Sequence, residues 1–172
     1  MKASVILVSA LLLSGSGAAA QSVTDAQIAS IVVTANQVDI DAGKLAAATT
    51  KSADVKKFAQ LMVADHSGVN QQAVALVTRL KVTPEDNDTS RSLKAGGEKN
   101  VATLKTLKGA AFDKAYVDHE VAYHQAVIDA VDKTLIPNAH NEDLKALLVK
   151  VRPAFVTHLE HAKHLASTLG AK

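Results

Sequence analysis

The stretch SADVKKFAQLMVADHSGVNQQAVALVTRL, residues 52–80, decides the fold. Within it Val55, Ala59, Met62, His66, Val69, Ala73, Leu76 and Leu80 recur every three or four positions, the spacing of one face of an α-helix. Ser52 stands where a side-chain oxygen caps a first helical turn. Pro84 and the acidic Glu85-Asp86-Asn87-Asp88 follow the helix as a solvated turn. Asp65 and His66 straddle the inward line of this helix, and polar groups buried there cost free energy unless something pairs with them. What pairs with them decides the chemistry.

The flanking patterns repeat the theme. Ser22 or Thr24 caps a first helix, aided by Asp25 at its positive end, and the stripe Ile28, Val32, Ala35, Asp39, Ala42 and Ala46 carries it to Thr49-Thr50. The join to Ser52 is short, so these two helices form an antiparallel hairpin. Residues 81–110 form a long connection, expected as two short helical pieces, 89–95 and 98–107, broken at Gly96-Gly97. A third long helix is expected over residues 111–135. Its seam is Val117, Val121, His124, Ile128, Val131 and Leu135, and a second face of Phe112, Tyr116, His119 and Tyr123 lies beneath the connection. Pro137 stops it. Asn141 with Glu142-Asp143 opens a fourth, whose stripe Leu144, Leu148, Val151, Phe155, His158, Ala162, Leu165 and Leu169 is kinked at Pro153. The expected fold class is therefore all-α: a ferritin-like four-helix bundle of two helical hairpins joined by a long, partly helical crossover.

Residues 1–20 read as a cleaved signal peptide, leaving 21–172 as one domain. Lys2 supplies the positive start, residues 5–13 the apolar core, and Ala18 and Ala20 the small residues before cleavage. The apolar run is shorter than the roughly 20 residues a membrane anchor needs. The mature chain carries no transmembrane span, and a periplasmic or secreted protein is expected, with peripheral association with the cell envelope still open.

Composition excludes several functions. The absence of Cys rules out disulfides, thiol catalysis and iron–sulfur clusters. A net charge of only +2, with basic residues scattered among acids and 3% aromatics, argues against nucleic acid as a partner. No Gly-rich phosphate loop suggests an organic cofactor. Ser67 follows His66 on a helix and lacks the strand–turn–helix elbow of a nucleophilic serine, so the chain leans away from being an enzyme.

Each long helix does place a metal-ligand type of residue in or beside its apolar stripe: Asp39, Asp65 with His66, His124, and His158. At about 1.5 Å per residue, their offsets from the two hairpin turns bring each pair within about one helical turn of a common level. Three imidazoles and one or two carboxylates suit one transition-metal ion, Zn, Cu, Ni or Fe, better than the oxygen-seeking Ca or Mg. The same pattern also fits a metal-free Asp–His hydrogen-bond network that fixes helix register. A mononuclear metalloenzyme, which needs an open coordination position, is a further alternative. In His158-x-x-His161-x-x-His164 the helical rotation turns His164 away from His158 and leaves His161 beside it. Glu120, one turn before His124, is an additional ligand or hydrogen-bond candidate; His119 faces away, and His140 lies in a turn.

The motifs Asp39-x-x-x-Gly43-Lys44-Leu45-Ala46, Phe58-Ala59-Gln60-x-Met62-Val63-x-Asp65-His66, Phe112-Asp113-x-x-Tyr116, His124 and Pro153…His158-Leu159 resemble the bacterial domain-of-unknown-function family 4142. The resemblance covers nearly all of the mature chain and implies an exported protein with a ferritin-like fold, often labelled a membrane or outer-membrane protein. It implies no activity. Where the family usually has Glu in its first helix, this chain has Asp39, one methylene shorter. The residues three before His66, His124 and His158 are Val63, Val121 and Phe155. The Glu-x-x-His motifs of di-iron carboxylate bundles are therefore missing, which disfavours iron storage and di-iron oxidation. The functional expectation is metal binding or envelope stress protection.

Overall fold

A computed structural model describes residues 22–170 and is helical nearly throughout. The expected leader, residues 1–20, lies outside the described residues. Helix α1 (Asp25–Thr49) begins at Thr24, whose hydroxyl accepts from the Gln27 amide while the Gln27 side chain accepts from the Thr24 amide. This reciprocal box satisfies two amides that a helix start otherwise leaves unpaired. Residues 50–52 turn the chain into α2 (Ala53–Leu80), with Ser52 accepting from the Val55 amide. Thr50 also donates to Asp113 at 2.5 Å, tying this turn to a later helix.

The connection departs from expectation. It is one continuous helix, α3 (Asp88–Lys105), which runs through Gly96 and Gly97 and packs along α1. The glycine pair lowers helix propensity, but here packing prevails. A Cβ on Gly97 would lie 2.6 Å from Val38 Cγ2, so the absent side chain is what lets α3 approach α1. Gly43 serves the α1–α2 contact in the same way, since a Cβ there would meet Val63 at 3.0 Å and the Ala59 carbonyl at 3.1 Å.

Helix α4 (Gly109–Ala130) continues through a π-helical turn, Val131–Leu135, and a last α turn, α5 (Ile136–Asn138). The helical path thus passes Pro137 rather than stopping before it. Proline cannot donate to the carbonyl one turn back, and the wide turn, closed by the Ile136 amide on the Val131 carbonyl, lies immediately ahead of it. Helix α6 (Glu142–Gly170) starts where Asn141 accepts from the amides of Asp143 and Leu144, and it contains Pro153. Asp25 reaches across to accept from the His140 and Asn141 amides, which fixes the start of α1 against this turn.

The closest helix pairs are α1 with α2 and α4 with α6, two hairpins linked by α3. Their buried faces sort into two apolar clusters. One gathers Ile28 and Val32, Val69 and Leu76, Ile128 and Val131, with Leu144 through Phe155. The other gathers Ala42 and Ala46, Val55 through Met62, Phe112 through Val117, with Ala162 and Leu165. Between the clusters, each of the four long helices buries at least one polar side chain: Asn36 and Asp39, His66, Glu120 and His124, and His158. No helix among the described residues is long and apolar enough to cross a membrane.

The two central glycines of α3 should respond in opposite ways to substitution. Gly97→Ala is expected to cost about 1–3 kcal/mol through the clash with Val38. Gly96→Ala, whose Cβ would meet nothing within 4 Å, should stabilise by roughly 0.4–1 kcal/mol. Urea unfolding of both variants checks this.

Candidate metal centre

The polar layer between the clusters holds Asn36 and Asp39 from α1, His66 from α2, Glu120 and His124 from α4, and His158 from α6, all buried. The three imidazoles face one another, with ring centroids 5.2–5.5 Å apart. One ring nitrogen from each lies within 4.8 Å of the others. Phe155 stacks parallel to His66 at 5.5 Å and holds its ring plane.

The outward hydrogen bonds of the rings set their tautomers. His66 Nδ1 lies 2.7 Å from Asn36 Oδ1. The Asn36 amide is itself oriented by donating from Nδ2 to the Val32 carbonyl at 2.8 Å, so its oxygen faces the ring and accepts the Nδ1 proton. His124 Nδ1 donates to the Glu120 carbonyl at 3.0 Å. His158 Nε2 donates to Asp65 Oδ2 at 2.9 Å. In each ring the nitrogen facing outward carries the proton, so the opposite nitrogen presents a lone pair. Those atoms, His66 Nε2, His124 Nε2 and His158 Nδ1, are buried and have no hydrogen-bond partner.

The carboxylates complete the layer. Asp39 Oδ2 lies 3.1 Å from His66 Nε2 and 3.5 Å from His124 Nε2, yet neither approach has hydrogen-bond geometry. Both Asp39 oxygens, both Glu120 oxygens and the Tyr116 hydroxyl are buried without partners. Asp39, Glu120 and His124 form a second trio of ligand-type atoms within 4.8 Å, sharing His124 with the first. Burial dominates the titration of all these groups. It pulls His66 down to about 2, helped by His124 and His158, and takes His124 down to about 4. His158 is lowered too, against the opposing pull of Asp65. Asp39 is pushed up to about 8 by burial, and Glu120 is raised well above its usual range by burial and by Asp39. At neutral pH and without a cation, burial therefore favours neutral imidazoles and the protonated forms of Asp39 and Glu120.

Of the residues singled out in the sequence, Asp39, His66, His124 and His158 meet in this layer. Asp65 stands outside it, on the far edge of the His158 ring, with its side chain 43% exposed. From there it accepts from the His158 ring rather than offering an oxygen to the interior. His161 packs edge-on to Phe58 at 5.0 Å, His164 is exposed, and His119 stacks on Tyr123. Glu120 is more central than its place as an additional candidate suggested, being wholly buried. Asn36 and the inward Tyr116 hydroxyl were not foreseen. The signals existed: Asn36 precedes Asp39 by three residues and Glu120 precedes His124 by four, each one turn away on the same face.

The chain matches the family model described as Domain of unknown function (DUF4142) over residues 12–165. It belongs to that family. No curated protein and no solved structure matches it. For this DUF4142 member the roles of individual residues therefore rest on its own geometry. In that geometry one nitrogen of each ring donates to an amide, carbonyl or carboxylate oxygen, a pattern that metal-ligating histidines also show.

The opposed titration shifts give the metal-free protein a stability maximum. Below about 6.5 an unfolded chain protonates imidazoles that the fold keeps neutral, so stability falls as the pH drops from about 6.5 towards 4. Asp39 acts in the opposite sense. Its contribution is full below 3.8 and is lost as the pH rises through about 8. Thermal melts in EDTA between pH 4 and 9 should trace a dome, and Asp39→Asn should flatten its alkaline side.

Proposed function

We propose that this protein is an exported, ferritin-like four-helix bundle that binds one transition-metal ion in its core, in a metal-handling or stress-protective role at the cell envelope. The ligands are His66 Nε2, His124 Nε2, His158 Nδ1 and the Asp39 carboxylate, with Glu120 beside them and Asp65 orienting His158. The observation that carries this reading is three buried imidazoles with ring nitrogens within 4.8 Å of one another, each having one nitrogen committed as a donor and the other without a partner. Three neutral imidazoles and a carboxylate suit Zn, Cu, Ni or Fe. Tetrahedral coordination with bonds near 2 Å spaces its nitrogens roughly 3.3 Å apart, within reach of small side-chain rotations from the present arrangement. The ferritin-like assignment is supported by the pairing of α1 with α2 and α4 with α6 across the linking α3. Export is supported by the leader pattern of residues 1–20.

The outward hydrogen bonds also favour a purely structural Asp–His network, and that reading needs no ion. It leaves the three inward nitrogens without hydrogen bonds to protein groups, which is costly in a buried layer. The metal reading gives the inward nitrogens and Asp39 something to bind.

Metal analysis of protein purified without a His tag separates the two. One ion per chain is expected, lost in His66→Ala and in His124→Ala. At a free-metal concentration of 100 times Kd, stabilisation should be about 2.7 kcal/mol, raising Tm by roughly 5–10 °C. EDTA should reproduce most of the loss in the His66→Ala variant, whereas in a structural network the variant loses the same stability with or without chelator. Protein without metal that also shows no thermal shift with Zn, Cu or Fe would rule the reading out.

Affinity should depend on pH through Asp39. Its proton, held below about pH 8, must leave before the carboxylate can bind the ion. Affinity is therefore expected to rise about tenfold per pH unit up to that point for each proton displaced. Titration calorimetry in buffers of different ionisation enthalpy would count the protons.

A further inference from the structure

A cavity of about 140 Å³ adjoins the polar layer. Its walls are apolar side chains from four sides, among them Ile31, Val32, Val127, Val131 and Leu148. Its inner end is made by Asn36, Tyr123, His66 and His124. Its outer end lies between α3 and α4, where Thr89 and Ala126 line it and are exposed. Helix α3 packs chiefly along α1 and touches α4 much less, which leaves this opening. Val131 and Leu135, on the wall, belong to the π turn, a feature frequent at functional sites.

The polar atoms at the inner end are almost all committed. Tyr123 donates its hydroxyl to the Ala35 carbonyl at 2.8 Å. The Asn36 amide is taken up by Val32 and His66, and His124 Nδ1 by the Glu120 carbonyl. What remains free there is His66 Nε2 and His124 Nε2, both turned to the metal centre. No charged side chain lines the cavity. An ionic or strongly polar occupant would lose its hydration and find no partner on the walls. An apolar cavity of nearly this size, about 150 Å³, is known to stay dry and to take up benzene or xenon.

We propose that this cavity receives a small, uncharged, apolar molecule, from diatomic size up to a single aromatic ring, and holds it against the His66–His124 edge of the metal centre. The cavity stands on its own geometry; delivery to the centre rests on the metal reading above. Such an arrangement lets an apolar molecule approach the ion through α3 and α4 without passing Asp65, which lies on the other side of His158.

Xenon is the probe. Titration of the metal-free protein followed by ¹²⁹Xe NMR is expected to show one saturable site. Val127→Phe should abolish it by filling the void. Ala126→Trp, at the exposed mouth where folding is not at stake, should slow xenon exchange at least tenfold. A xenon shift that rises linearly with pressure, or that neither folded variant changes, overturns the proposal. Protein loaded with Co²⁺ should then relax the bound xenon at least tenfold faster than protein loaded with Zn²⁺. Saturable xenon without that effect, in protein shown by metal analysis to hold Co²⁺, overturns delivery to the centre. Protein that takes up neither ion removes the metal reading and delivery with it, and metal analysis distinguishes that failure from an absent xenon site.

Discussion

Three buried imidazoles gathered in one polar layer are the constraint on which this structure depends. Apolar residues would fill the same space with fewer demands, because buried polar groups need partners and buried charges need more. The fold meets part of that demand from outside the layer, with Asn36, the Glu120 carbonyl and Asp65 each accepting one ring proton. The inward side is left unmet. The donor atoms are thereby gathered in one place, with the imidazoles kept neutral because burial disfavours their charged forms.

The surrounding packing serves this layer. Two apolar clusters lie on either side of it, and every long helix contributes to both. A shift of one helix by a turn would carry its polar residue into an apolar cluster and an aliphatic side chain into the polar layer. Close approach through Gly43 and Gly97 helps prevent such a shift, because α1 is held on one side by α2 and on another by α3. The hydrogen bonds from the His140 and Asn141 amides to Asp25, and from Thr50 to Asp113, join the two hairpins near opposite ends of α1.

Much of this was legible in the residue pattern, for a simple reason. Helical periodicity reports which side chains face inward, and counting from a short turn reports their height. Asp39, His66, His124 and His158 could thus be placed on a common level before any coordinates. Periodicity does not report what happens at the edge of a stripe. Asp65 precedes a buried histidine and is exposed all the same, because a step of 100° carries it out of the interior. Asn36 and Glu120 lie off the apolar stripes that pass through Ala35 and Val121, yet both are more deeply buried than those neighbours. The continuity of α3 depended on a tertiary contact, Gly97 against Val38, which local propensity cannot show.

The placement of Asp65 divides the environment of the centre in two. Among the residues that bond to the three imidazoles, it is the one that water reaches freely, so His158 is both a wall of the interior and its link to solvent. Its Nε2 faces the water-reached Asp65 carboxylate and its Nδ1 is buried, so the two edges of one ring meet unlike surroundings. Helices α2 and α6, which carry Asp65 and His158, touch less than the partners within either hairpin, so their seam is the softer boundary. The apolar opening between α3 and α4 lies on a different side of the layer and is lined by no charged side chain. The polar layer thus meets two unlike borders, a water-facing carboxylate on one side and an apolar cavity on the other.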